Sequence, residues 1–193
     1  MKKAMLIVTI LFVAVISTAC INNMAVQELN NTAKTYMDKG DYKAAIDRLE
    51  SGIELDSTIY ETHYNLGVAY LEAGEYEKAI NSLNNAMKLN SKYANTYYTL
   101  AVAQEKLADS LINADSHSIS ADNDGEAETK SPTYTNVSES VKEKMIEGYL
   151  TSIENYQKYI KMVNSQQKTE EVSEHIKDME KVLSKLGYAG QSY

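Results

Sequence analysis

A chain of 193 residues has room for one domain with a modest core, and not for a second independent core once its non-globular stretches are set aside. One proline, no tryptophan and fifteen tyrosines argue against an all-β sandwich and suit helices packed through aromatic and small residues. The formal net charge of −8 sets the surface against nucleic acid and anionic lipid heads as partners.

The chain begins with Lys2 and Lys3, an apolar run from Ala4 to Ile16, and the small residues Ser17, Thr18 and Ala19. That order predicts an export signal over residues 1–19. The apolar run falls short of the ~20 residues that a membrane-spanning helix needs, so a permanent transmembrane anchor is the weaker alternative. Cys20 follows at once and is the sole cysteine, which rules out an internal disulfide and leaves its position as the clue to its chemistry. The string Ser17-Thr18-Ala19-Cys20 resembles the lipobox of bacterial lipoproteins, although Ser17 stands where leucine is commonest. The resemblance implies cleavage before Cys20, acylation of that residue and a short lipidated linker over 20–25. Two or three acyl chains, at roughly 0.8 kcal/mol per buried methylene, would hold the protein on a membrane. Ordinary cleavage near Ala19 without a lipid is the competing reading. Losing Lys2 and Lys3 leaves 17 basic against 27 acidic side chains, a net charge of −10.

From residue 26 the chain repeats itself. A shift of 34 residues superposes Tyr36 on Tyr70, Gly40 on Gly74, Tyr42 on Tyr76, Ala45 on Ala79, Ile46 on Ile80 and Leu49 on Leu83. Leu55 on Leu89, Ser57 on Ser91, Thr62 on Thr96 and Leu66 on Leu100 continue the series. A fixed period of this length is the mark of stacked helical pairs. In the middle copy Leu66, Gly67 and Tyr70 share one helical face, Ala79, Leu83 and Ala86 share another, and Gly74 stops the first helix between them.

These residues resemble the tetratricopeptide repeat (TPR), with Gly67 and Ala79 where two helices pack closely and Tyr70, Gly74, Tyr76 and Ala86 in consensus places. The resemblance implies an all-α fold: a right-handed superhelical stack of about three helical hairpins, the third with a long insertion, plus a C-terminal capping helix. It covers residues 26–108 and resumes near 147. The departures are His63 in an aromatic position, Thr32 for leucine, and Ser57 and Ser91 where proline usually closes the repeat.

The third copy starts near Ala94, but its second-helix pattern returns only at Tyr149, Ile153, Tyr156, Tyr159 and Ile160, an excess of about 39 residues. Within this insertion, 109–146, Leu107, Leu111 and Ile112 extend the first helix, and Ser140 with Glu143 predicts a capping box for the second. The stretch 114–136 between them is polar and acidic, with Gly125 and Pro132, and reads as a disordered loop. The second helix of the third repeat is expected over 147–166. The capping helix, over 167–187, carries Val172, Ile176, Met179, Leu183 and Leu186 on one face and ends at Gly187, ahead of a short tail over 188–193.

No sequence pattern nominates a catalytic set. His63, His117 and His175 lie far apart with no cysteine partner, and no glycine-rich phosphate loop is present, so neither a metal nor a cofactor is expected and the chain is read as no enzyme. His63 reads as a packed core residue. By the resemblance, the groove-facing places of the first helices hold Asn30, Asn31, Lys34 and Met37 in the first copy. Tyr64, Asn65, Val68 and Leu71 follow in the second, and Tyr98, Thr99, Val102 and Glu105 in the third. With Lys34 as their sole base, these positions do not suit a terminal carboxylate, and the tyrosines with Val68, Leu71 and Val102 predict a strip that receives a helix or extended peptide. The same strip packing against other parts of the chain is the structural alternative. The expected function is a membrane-anchored protein-interaction scaffold of the bacterial cell envelope, with a protein or peptide partner. By resemblance to the sorting rules of bacterial lipoproteins, the absence of an aspartate after Cys20 implies the periplasmic face of the outer membrane as the expected location. The alternative is a glycan- or peptide-binding lipoprotein serving uptake.

Overall fold

The computed structural model describes residues 22–119 and 137–189, and every regular element among them is a helix. Cys20, the export segment, the stretch 120–136 and the last four residues lie outside these limits. The helices are α1 (22–38), α2 (Tyr42–Leu55), α3 (Tyr60–Glu72), α4 (Tyr76–Leu89), α5 (Ala94–Ile119), α6 (Glu139–Met162) and α7 (Gln166–Lys185). The all-α fold of helical hairpins is thus the one expected. Helix is already present at residue 22, inside the stretch 20–25 assigned to a linker. Among the described residues, no helix is long and apolar enough to cross a membrane. The chain divides into two compact units, the first ending at Asn90 and the second beginning at Ser91.

In the first unit the hairpin turns are built on glycine. Gly40 and Gly74 have φ of +74° and +78°, a backbone that disfavours any side chain. The next residue's N–H then reaches back to a carbonyl five residues earlier, Asp41 to Tyr36 and Glu75 to Tyr70, each at 2.9 Å. Asp41 also starts α2, its carboxylate accepting the Ala44 N–H at 3.1 Å. Between the helices Ala33, Ala45, Leu49, Ala69, Ala79, Leu83 and Ala86 are fully buried. Gly67 is what lets α3 and α4 approach: a Cβ there would lie 2.5 Å from Leu83 Cγ and 3.3 Å from the Ala79 carbonyl oxygen.

His63 is buried, as expected, and the structure shows why it suits an aromatic place. Its Nε2 donates to the Ser57 carbonyl at 2.9 Å. In the second unit Tyr97, 34 residues on, gives its hydroxyl to the Ser91 carbonyl at 3.2 Å. Imidazole and phenol perform one task, tying the first helix to the loop that precedes it.

The second unit is an extended antiparallel hairpin, α5 against α6, with α7 packed on it. Hydrogen bonds join the two helices from the Tyr149 hydroxyl to Asp109, from the Ser152 hydroxyl to the Ala101 carbonyl at 2.8 Å, and from Asn155 to Gln104 at 2.9 Å. Two expectations are corrected here. Helix α5 continues through Ile119, past the start of the loop expected at 114, because extending a helix already docked through Ile112 needs no new nucleation. Helix α6 starts at Glu139 with Ser138 in the extended cap position, so Ser140 lies inside the first turn and the predicted capping box does not form. Helix α7 buries Val172, Ile176, Met179 and Leu183 against Met145, Tyr149, Ile153, Tyr156 and Tyr159, and ends at Gly187, whose φ is +87°.

Candidate binding site

The expected groove positions fall into both units, and each group has its own surroundings. In the first unit a concave pocket of about 530 Å³ opens between the N-terminal half of α1 and the turn that leads into α3. Its wall is made of Asn23, Val26, Gln27, Asn30 and Asn31 from α1, facing Thr58, Ile59, Tyr60, Glu61 and Asn65. Spacings of four and three place Asn23, Gln27 and Asn30 on one side of α1, and a spacing of four places Glu61 and Asn65 on one side of α3.

A chain of amides orders this wall. The Asn30 amide nitrogen donates to the Val26 carbonyl and to the Thr62 hydroxyl, both at 2.9 Å, and its carbonyl oxygen accepts from the Asn65 amide at 2.8 Å. A backbone carbonyl only accepts, so the contact with Val26 fixes which end of the Asn30 amide is nitrogen, and through it the orientation of Asn65. Thr62 is fully buried, so its hydroxyl anchors the relay. Gln27 donates to Asn23 at 3.1 Å. On the rim, Asp56 accepts both the N–H and the hydroxyl of Thr58, and these two bonds hold its carboxyl below the usual range.

Asn30 and Asn65, named from the sequence, therefore belong to one pocket. Lys34, Met37, Tyr64, Val68 and Leu71 are not part of its wall; Lys34 is exposed and the other four are half-buried. What sequence reasoning did not find are Asn23, Gln27, Thr58, Tyr60 and Glu61 as wall residues, although amides at spacings of four and three were there to be seen.

In the second unit Tyr98, Val102 and Glu105 stand on α5, and two of them are engaged by their own hairpin. The Tyr98 ring, 41% exposed, meets Tyr156 edge-on at 5.6 Å and Tyr159 at 5.1 Å between centroids. Glu105 accepts from the Tyr156 hydroxyl at 3.2 Å and contacts His175 Nε2 of α7 at 2.8 Å. Burial of the phenol, helped by the Glu105 charge, pushes the Tyr156 pKa well up. In the first unit burial does the same to Tyr70, whose hydroxyl donates to Glu50. Val102 is half-buried beside the same cluster. Thr99 is buried. Among the described residues no group of three or more His, Cys, Asp or Glu side chains is placed to hold a metal ion.

Paired helices, glycine-closed turns, a strict period and a side-chain-lined concave pocket define a helical-repeat protein. Residues 33–74 and 69–107 match the TPR repeat model, the resemblance that the glycines and alanines of this stretch imply. No curated protein matches the chain in sequence. Among solved structures it is similar to the first TPR of Spaghetti (RPAP3) bound to the HSP90 peptide SRMEEVD, at 15% identity and a TM-score of 0.57, over 83% of this chain and 97% of that one. The Arabidopsis OM64 TPR domain has 11% identity and a TM-score of 0.57, over 81% and 98%. The second TPR domain of human RPAP3, in complex with the HSP70 peptide SGPTIEEVD, has 13% identity and a TM-score of 0.55, over 82% and 98%. At such identities the likeness is one of fold.

Proposed function

We propose that the chain is a non-catalytic protein-interaction scaffold of the bacterial cell envelope. In this reading residues 1–19 are removed, acyl chains on Cys20 hold the protein on the periplasmic face of the outer membrane, and an extended peptide segment enters the pocket of the first unit. The observation that carries the reading is the Thr62–Asn30–Asn65 relay: a buried hydroxyl fixes two amides so that Asn65 presents a carbonyl oxygen and an N–H to a concave wall. A peptide unit offers the complementary N–H and carbonyl, and it meets an amide already held in place at a small entropic cost. The two RPAP3 domains also hold peptides, and the lipid on Cys20 accounts for the lone cysteine at the end of the export signal.

A photo-crosslinking side chain in place of Asn31, which is exposed on the pocket wall, should yield peptide-containing adducts in intact cells. Asn65→Ala should cut that yield by about tenfold, the effect of losing one well-placed polar anchor. Cys20→Ala should move the protein from the membrane fraction to the soluble one after a high-salt wash. Adducts indifferent to Asn65 would place the binding surface elsewhere. Membrane retention of the cysteine variant would remove the lipid anchor from the reading.

A further inference from the structure

Resting on that reading of the pocket, we infer its specificity: it takes an internal extended segment that sets a lysine or arginine beside Glu61, and it rejects a free C-terminal carboxylate. The hydrogen bonds of the wall show which of its polar groups are already committed. Both N–H groups of Asn30 are committed, to Val26 and Thr62. One N–H of Asn65 is committed to Asn30, and one of Gln27 to Asn23. Thr58 gives its N–H and its hydroxyl to Asp56. Amide donors remain on Asn23, Asn31, Asn65 and Gln27, enough to meet the carbonyls of a peptide backbone, and the Asn65 carbonyl oxygen, the Gln27 carbonyl oxygen and the Glu61 carboxylate remain as acceptors.

Charge decides which group is preferred. No lysine, arginine or histidine lines the pocket, and Glu61 is its single ionised wall residue. Glu61 is exposed in the first turn of α3 and has no ion-pair partner among the described residues. An entering carboxylate would exchange water for neutral amides and a like charge, with no cation to offset its desolvation, whereas an ammonium or guanidinium would meet amide acceptors and an opposite charge. Lys34 lies on α1 four residues beyond Asn30, but it is not part of the wall. The net charge of −8 favours a basic partner during approach, and Glu61 turns that general attraction into a contact at one place.

The test uses the full chain in detergent, immobilised and panned against two random octapeptide display libraries, one amidated at the C-terminus and one ending in a free carboxylate. The amidated library should yield binders enriched in Lys or Arg at one position by about three- to tenfold, the size of a partly exposed ion pair, and the carboxylate library should yield fewer. Glu61→Gln should abolish the enrichment while leaving binders, whereas Glu77→Gln, the same charge change on α4, should preserve it. Equal loss in the two variants would mean that only the overall field selects, and enrichment of acidic or carboxylate-ended peptides would reverse the assignment; either overturns this inference and leaves the pocket a peptide site. If neither library yields binders above the blank, the peptide reading falls, and this inference with it.

Discussion

Thr62 in the first unit and Thr96 in the second stand 34 residues apart at the same place of a first helix, and both are fully buried. The hydroxyl of Thr62 receives the Asn30 amide at 2.9 Å, whereas that of Thr96 has no partner among the described residues. The second helices differ in the same spirit. Where α4 packs Ala79, Leu83 and Ala86, α6 sets Ser152, Tyr156 and Tyr159. The first unit closes its hairpin by contact between a glycine and a leucine, and directs its polar groups toward a pocket. The second closes its longer hairpin with aromatic rings and hydroxyls, and ties them to a terminal helix through Glu105 and His175. One repeat template lines a concave pocket with polar groups in the first unit and carries a terminal helix in the second.

The largest effect should come from the hairpin crossings. Gly67→Val would drive a branched side chain into Leu83 and the Ala79 carbonyl, and should lower the stability of the first unit by ~3 kcal/mol in chemical denaturation followed by circular dichroism. Gly148→Ala places its Cβ 3.0 Å from that of Ala108, a milder overlap. The gain in helix propensity offsets part of that cost, and the net loss should stay within about 1 kcal/mol. Equal losses at the two sites would erase the contrast between a close crossing and a looser one.

The threonines sharpen the comparison with opposite signs. Thr62→Val leaves an Asn30 N–H without its acceptor and should cost about 1 kcal/mol, with weaker peptide capture as a second readout. Thr96→Val replaces an unpartnered hydroxyl with a methyl of the same shape and should be neutral or stabilising by up to about 1 kcal/mol. A loss at Thr96 as large as that at Thr62 would show that its hydroxyl does have a partner.

The smallest effect is alkaline. The folded-state pKa values of Tyr70 and Tyr156 are raised, chiefly by burial, so the neutral phenols are favoured in the native state. Their contribution is fully present below the unfolded value of about 10 and is lost as pH rises above it toward the folded values. Stability should therefore be insensitive to these two phenols between pH 7 and about 9 and decline above about 10. Tyr156→Phe should flatten that decline. An unchanged alkaline slope in the variant, read from denaturation midpoints at several pH values, would show that Tyr156 does not contribute to it.

Much of the fold is legible in the residues one by one. Gly40, Gly74 and Gly187 announce helix stops, because a left-handed turn suits glycine, and each takes that conformation. The stripe of Val172, Ile176, Met179 and Leu183 announces a buried helix face, and each residue is buried. The site was less legible. Asn30 and Asn65 could be named from repeat position, but their joining through Thr62 depends on how α1 meets α3, and Glu61 enters the wall for the same reason. Tyr98 and Glu105 are groove positions by the resemblance, yet Tyr156, Tyr159 and His175 come from helices that follow an insertion and reach them only in the folded hairpin.

The amino-acid sequence by itself determined the helices, the period of 34 residues and the places where turns must fall, since periodicity and backbone preference act within a few residues. Only the tertiary structure decided which polar groups spend their hydrogen bonds on one another and which are left facing the pocket. That division depends on distances of about 3 Å between side chains far apart in the chain, and no local rule reports it.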